Sequence, residues 1–315
     1  MGRRYHKQFH PHRPKVTSKP VNDISPLLDA AQQKLEGGNL SDALELTRKA
    51  LSQGSTPEQL DLVAELFVMC GDVEKAVETY KKALSYESQT VAGAYRSLAI
   101  FELIGDVTVL KKAVDILRKH KSNPEYHSDF VMALSLLADA HLTHLETPDT
   151  LSAQRLVEEA LRCDSNCLPA LIVQAASYLV MEDLIKAEEA AKHITALFLQ
   201  EGFYSIEKNA EGEDDLVIHS NSSQPDPQFL ISLSRVCSAV EMYDEAAMCC
   251  DLILAQRPND AVALHELAWC YNLMNDYETA LTLLQKVREI YLDEGADEEV
   301  LRDVEAKIQA LGSST

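Results

Sequence analysis

The chain has 315 residues, 46% of them hydrophobic, with only 11 Gly and 11 Pro. That is enough apolar material for a substantial core, and the sparse Gly and Pro suit long helices with short punctuating turns, with any disorder local. Its 29 basic and 50 acidic side chains give a formal charge of −21, which disfavours binding to nucleic acid phosphates.

The charge is unevenly spread. Residues 1–20 carry Arg3, Arg4, Lys7, Arg13, Lys15 and Lys19 and no acid, which leaves 23 bases against 50 acids, or −27, in the rest. Residues 1–22 read as a basic disordered tail, and Gly2-Arg-Arg-Tyr-His-Lys7 suits a nuclear-import receptor. An acidic body favours a basic protein partner. Seven cysteines without a CxxC, no apolar leader, and a longest apolar stretch (Ala170 to Met181) broken by Gln174 predict reduced thiols, no membrane span, and residence in cytoplasm and nucleus.

Along the chain one skeleton recurs. A weak first copy has Leu27, Ala31 and Ala43; the second reads Leu60-x2-Val63-Ala64-x2-Phe67, then Ala76-x3-Tyr80. In the third, Leu98 and Phe101 lead to Ala113, which predicts a turn longer by about three residues; in the fourth, Leu134, Ala138 and His141 lead to Ala153 around Thr147-Pro148-Asp149. The fifth pairs Leu171-x2-Gln174-Ala175-x2-Tyr178 with Ala187-x3-Ala191. The sixth pairs Leu230-x2-Leu233-Ser234-x2-Cys237 with Ala246-x3-Cys250 and closes on Pro258, and the seventh has Leu264-x2-Leu267-Ala268-x2-Tyr271, an Asn275-Asp276 turn, then Ala280-x3-Leu284. Small residues at these places let paired helices approach, while large apolar ones three and four apart fill the seam. Glu298 to Leu311 is amphipathic and would cap the open end.

The skeleton resembles the tetratricopeptide pattern of W-x2-L-G-x2-Y, A-x3-F and a closing P. The expected fold is all-α, a right-handed tetratricopeptide-repeat solenoid of about seven helix pairs with a C-terminal capping helix. Repeats one to five fall in 23–206 and repeats six and seven with the cap in 227–311, followed by a short tail, 312–315. Between them, 207–226 is polar and Pro-containing and carries Glu211, Glu213, Asp214 and Asp215, which predicts an acidic disordered insertion after a long helix.

In such stacks the first helix of each pair lines an inner face. The corresponding offsets hold Glu58, Asp61, Glu65, Tyr95, Glu102 and Asp139 in the earlier repeats, and Ile172, Leu179, Ile231, His265 and Trp269 in the later ones. The predicted groove is therefore acidic at one end and apolar at the other, with the sole tryptophan, Trp269, as a candidate anchor. Such a groove suits a Lys- and Arg-rich segment.

Motifs for catalysis and cofactors are missing: there is no phosphate-binding GxxxxGK[S/T], no GxGxxG and no G-x-S-x-G. His265-Glu266 opens like a zinc-protease helix, but Trp269 stands where the second histidine belongs. Cys163-Asp-Ser-Asn-Cys167 crosses an inter-repeat turn with no second pair, so a structural role is expected and no metal. A non-enzymatic protein without cofactor or small-molecule substrate is the expectation.

Residues 125–311 further resemble the fungal dedicated assembly chaperones of large-subunit ribosomal protein four. The likeness is carried by Leu137-Ala-Asp-Ala-His-Leu142, Ser152-Ala-Gln-Arg-Leu-Val-Glu-Glu-Ala160, Leu171-Ile-Val-Gln-Ala175, Leu267-Ala-Trp-Cys-Tyr271, the insertion before Phe229, and Asp297-Glu-Glu-Val-Leu-Arg-Asp303. The resemblance implies capture of that basic, newly made protein, protection from aggregation, and escort to the nucleus for assembly. The alternative is a non-catalytic scaffold subunit of a multiprotein complex.

Overall fold

The computed structural model describes residues 23–54, 56–208, 214–218 and 226–312; the basic tail and the last residues, 313–315, lie outside them. The chain divides into two compact units, Met1–Ala140 and His141–Thr315. In the first, α1 (Ser25–Glu36) pairs with α2 (Leu40–Gln53), α3 (Pro57–Met69) with α4 (Val73–Tyr86), and α5 (Val91–Ile104) with α6 (Val107–His120). The unit boundary falls inside α7 (Pro124–Thr143). In the second, α8 (Thr150–Cys163) precedes the pairs α9 (Leu168–Val180) with α10 (Leu184–Gln200), α11 (Pro227–Ala239) with α12 (Tyr243–Gln256), and α13 (Ala261–Leu273) with α14 (Tyr277–Asp293); α15 (Glu298–Gly312) packs on α14. This is the expected all-α tetratricopeptide fold.

One local device makes most of the turns. In five of the six turns with this geometry among the described residues, the last residue before the second helix accepts a hydrogen bond through its side chain from the new helix's backbone: Asn39 from Asp42, Asp72 from Lys75, Asp106 from Thr108, Asp183 from Lys186, Asp276 from Thr279. An Asx oxygen there satisfies an otherwise orphaned N–H, worth about 1 kcal/mol per helix. The residue just before each cap is left-handed: Gly38, Gly71 and Gly105, but also Glu182, Glu241 and Asn275. The sixth turn, before α12, has Met242 at the cap and no side-chain bond.

Four residues past the cap comes a fully buried small residue, Ala43, Ala76, Ala187, Ala246 or Ala280, each at 0% exposure. The third repeat departs from this. Its turn is only Gly105-Asp106, so the predicted lengthening there is wrong. Leu110, four residues past Asp106 and also 0% exposed, takes the alanine's place, and Ala113 sits almost a turn further on. The fourth repeat does have a long link, 144–149, closed by the Asp149 cap on Ser152.

The first unit's core gathers Val63, Ala64, Phe67, Ala76, Tyr80 and Ile100. Each such large apolar side chain contributes roughly 1.5–3 kcal/mol by leaving water. At the end of the second unit Leu264, Val287 and Val304 close the last pair onto α15.

The expected disordered insertion is partly structured. β1 (Tyr204–Lys208) pairs antiparallel with β2 (Asp214–Ile218), Tyr204 opposite Ile218 and Lys208 opposite Asp214. Phe203 meets Phe198 edge-on at 5.3 Å, and the Tyr204 hydroxyl donates to the Thr195 carbonyl at 3.0 Å, fixing the hairpin's base to α10. Asp214 and Asp215 are strand residues, while Glu211 and Glu213 lie outside the described residues. Asp-Asp beside Leu-Val-Ile reads as disorder by charge, yet Tyr, Ile and Val favour a pleated surface and prevail once a neighbouring helix covers one end.

Candidate partner-binding surface

Glu58, Asp61 and Glu65 share one stripe of α3 by their three- and four-residue spacing, and all are half-buried. They are not simply a negative patch. Arg96 of α5, 3% exposed, places Nε 2.8 Å and Nη2 3.0 Å from the two oxygens of Asp61, with Nη1 3.3 Å from Glu87. Asp61 is thus the counter-ion of a buried cation. Sequence reasoning missed Arg96, although it is the sole base in the apolar helix Val91–Ile104 and sits 35 residues beyond Asp61, about one repeat. A lone base in an apolar helix requires a partner, and the repeat period points to where it lies.

Tyr95, one residue earlier, is half-buried and donates its hydroxyl to Asp129; burial, then that carboxylate, pushes its phenol well above the ordinary range. Glu102 is half-buried on the same helix. Asp139 is only 2% exposed, so it is a structural carboxylate and does not line an open surface.

In the second unit Ile172 is 0% exposed, which removes it from the candidate surface. Helix α9 is packed by α8, α10 and α11, so an apolar residue at that offset is covered by neighbours instead of facing out. Leu179 and Ile231 are half-buried. His265 and Trp269 do come together: with Arg235, Glu266, Leu284, Lys307 and Leu311 they line an open cavity of about 750 Å³ between α11, α13, α14 and α15. Trp269 is 51% exposed, so its ring is a wall of this groove more than a packing element.

The polar groups at the rim are matched. Arg235 reaches Glu266, with Nε at 3.0 Å, and Lys307 donates to the His265 Nε2 at 2.9 Å and to Asp303 at 2.7 Å. Burial, then the Lys307 ammonium, lower the His265 pKa against the opposing pull of Glu266 and Asp303, with Arg235 adding least. A group whose pKa is lower folded than unfolded gives stability that is complete above its unfolded value, near 6.5, and lost as pH falls through it. The urea midpoint should therefore drop between pH 7 and pH 5, and His265→Gln should flatten that drop. An unaltered slope in the variant, read by Trp269 fluorescence, would exclude His265 as its source.

Behind the groove lie Cys237, Cys249, Cys250 and Cys270, all buried free thiols. The Ser234 hydroxyl donates to the Ala246 carbonyl at 2.9 Å, and its oxygen lies 3.4 Å from the Cys250 sulfur. Cys250 is the main cause that lowers Cys270 to about 7, with Ser238 at 3.7 Å adding to it. Among the described residues no group of His, Cys, Asp and Glu is arranged to hold a metal ion, and no helix is long and apolar enough to cross a membrane.

Charge divides sharply between the units, the first being neutral when the basic segment 1–20 is counted with it. Residues 21–140 hold 12 bases and 18 acids, net −6, whereas 141–315 hold 11 bases and 32 acids, net −21. The expected order, acidic first and apolar second, therefore describes single helix offsets but not the field. The apolar groove lies in the more negative unit.

A tetratricopeptide repeat model matches residues 249–282. Among solved structures, the chain is similar to the assembly chaperone of RpL4 (Acl4), residues 1–338, at 17% identity and TM-score 0.58, over 82% of this chain and 98% of that one. A tetratricopeptide repeat protein from Parabacteroides merdae aligns at 12% identity and TM-score 0.57, over 91% of this chain and 98% of its own. Cut9–Hcn1, described as an APC/C hetero-tetramer, aligns at 12% and 0.53, over 89% and 48%. No curated protein sequence matches. At these identities the likeness is one of fold, the tetratricopeptide helical repeat.

Proposed function

We propose that this protein is a dedicated chaperone: it binds a basic, newly made ribosomal protein of the large-subunit protein four type, keeps it soluble, and escorts it from cytoplasm to nucleus for assembly. The observation that carries this reading is the coincidence, in one unit, of a net charge of −21 with an open apolar groove walled by Trp269. A basic client needs both its charge neutralised and its apolar side chains covered to stay soluble. The similarity in fold to a protein described as an assembly chaperone of RpL4 supports the choice of client. The basic segment 1–20 is assigned to an import receptor on its composition.

Purified protein mixed with denatured, diluted large-subunit protein four should hold it in the supernatant at low salt and lose most of it at high salt, because a charge-dominated complex is screened. Precipitation of the client at every salt concentration would refute the reading. Affinity capture from cells that yields a salt-resistant set of subunits would instead favour a scaffold in a larger assembly.

A further inference from the structure

Resting on the reading of a basic client, we propose that the groove around Trp269 is an anchor site for the large aliphatic side chains of a Lys- and Arg-rich segment, whose cations are held by the carboxylates of the same unit.

Three features of the groove select this occupant. Its volume, about 750 Å³, lies in the range that encloses several side chains or a short turn of chain, more than one side chain fills. Its floor and much of its wall are apolar: Trp269 at 51% exposure, with Ala239, Leu273 and Leu311 around it. The rim cations are already neutralised, Arg235 by Glu266 and Lys307 by Asp303, so they offer an anionic group little net attraction, whereas a leucine gains by displacing water from the apolar wall.

Charge then decides what flanks that leucine. Asp293, Glu294, Asp297, Glu298 and Glu299 are all exposed at the junction of α14 and α15. Glu298 lies about 14 Å along the helix from Lys307, at 1.5 Å per residue, nearly two Debye lengths in physiological salt but within one at 0.01 M, where that length is about 30 Å. At low salt a basic segment laid across the groove therefore meets an attractive field, and an acidic one is repelled. A second copy of this chain is disfavoured on the same ground, since its own unit would bring another −21.

The test uses the full chain, whose single tryptophan is the probe. Two synthetic peptides are titrated at low salt: one rich in Lys and Arg with interspersed leucines, and the same peptide with every leucine replaced by serine. The leucine peptide should shift Trp269 emission to the blue and bind about tenfold more tightly than the serine peptide, a difference of about 1.4 kcal/mol. Followed by anisotropy of labelled peptide, Trp269→Ala should remove that tenfold advantage and leave the serine peptide's affinity unchanged. Ala310→Gln, a longer neutral side chain on the groove-lining face of α15, should do the same with the tryptophan in place.

Equal affinity of the two peptides, with unshifted emission, overturns the anchor site and leaves the basic-client reading standing. Failure of both peptides to bind at low salt overturns both. An emission shift on dilution of the protein alone would mean that a second copy fills the groove, which also overturns the proposal.

Discussion

Asp61→Ala should lower stability by about 3 kcal/mol, an effect out of proportion to a residue whose side chain is 28% exposed. The loss arises at its partner. Arg96 is 3% exposed and would keep only Glu87, whose oxygen is 3.3 Å from Nη1. A buried guanidinium stripped of its two-point carboxylate costs several kcal/mol, while removing the cation is milder because the carboxylate left behind can be wetted. Arg96→Met should therefore cost roughly 1 kcal/mol, and Arg96→Met combined with Asp61→Leu should recover most of the loss, since replacing both partners by apolar groups is often close to neutral. Urea denaturation followed by circular dichroism measures all three. Equal losses from Asp61→Ala and Arg96→Met would show that burial of the cation is not the cause. Charge-reversal tests of client binding on α3 belong at Glu58 and Glu65, because a cation at position 61 would face Arg96 and unfold what it was meant to probe.

Gly93→Ala should also destabilise, by about 2–3 kcal/mol. On propensity alone the change should help by close to 1 kcal/mol, because glycine in a helix gives up more backbone entropy than alanine. Here a methyl group at Gly93 would sit 2.3 Å from the carbonyl oxygen of Glu87 and 3.2 Å from the carbonyl carbon of Ser88, both backbone. That backbone has little room to retreat, since the Thr90 hydroxyl donates to the Glu87 carbonyl at 3.0 Å and accepts from the Gly93 N–H at 3.1 Å. The turn between α4 and α5 is thereby fixed to the first turn of α5. A midpoint equal to or above wild type in the same denaturation assay would rule out this close approach.

How much of this was legible beforehand follows from the range of each interaction. Helix pairs and their alanines were readable because small-residue spacing repeats locally, and Ala43, Ala76, Ala187, Ala246 and Ala280 are buried as that spacing requires. In the third repeat Ala113 matches the signature alanine by residue type but lies three residues out of register with it. The cap at Asp106, with left-handed Gly105 before it, was the better marker of register. Asp61 and Ile172 were assigned to an open face by offset alone, which fixes direction around a helix but not what lies opposite. Arg96 arrives about one repeat later in the chain, and α9 is closed in by three other helices. Trp269, by contrast, lies on the exposed side that its offset predicted, near the chain's last helix pair, where fewer neighbours remain to cover it. The hairpin at 204–218 escaped because its acids obscured a short β-branched signal.

The unequal division of charge, −6 against −21, also has a consequence in time. A field concentrated in one part of a molecule acts before contact and orients an oppositely charged partner as it approaches, raising encounter rates by one to three orders of magnitude at low ionic strength. Apolar contacts in a groove act only after docking and set how long the partner stays. Arrival and residence are then controlled by different residues. Neutralising the exposed acids around Asp297 should slow capture, whereas altering the groove wall should hasten escape.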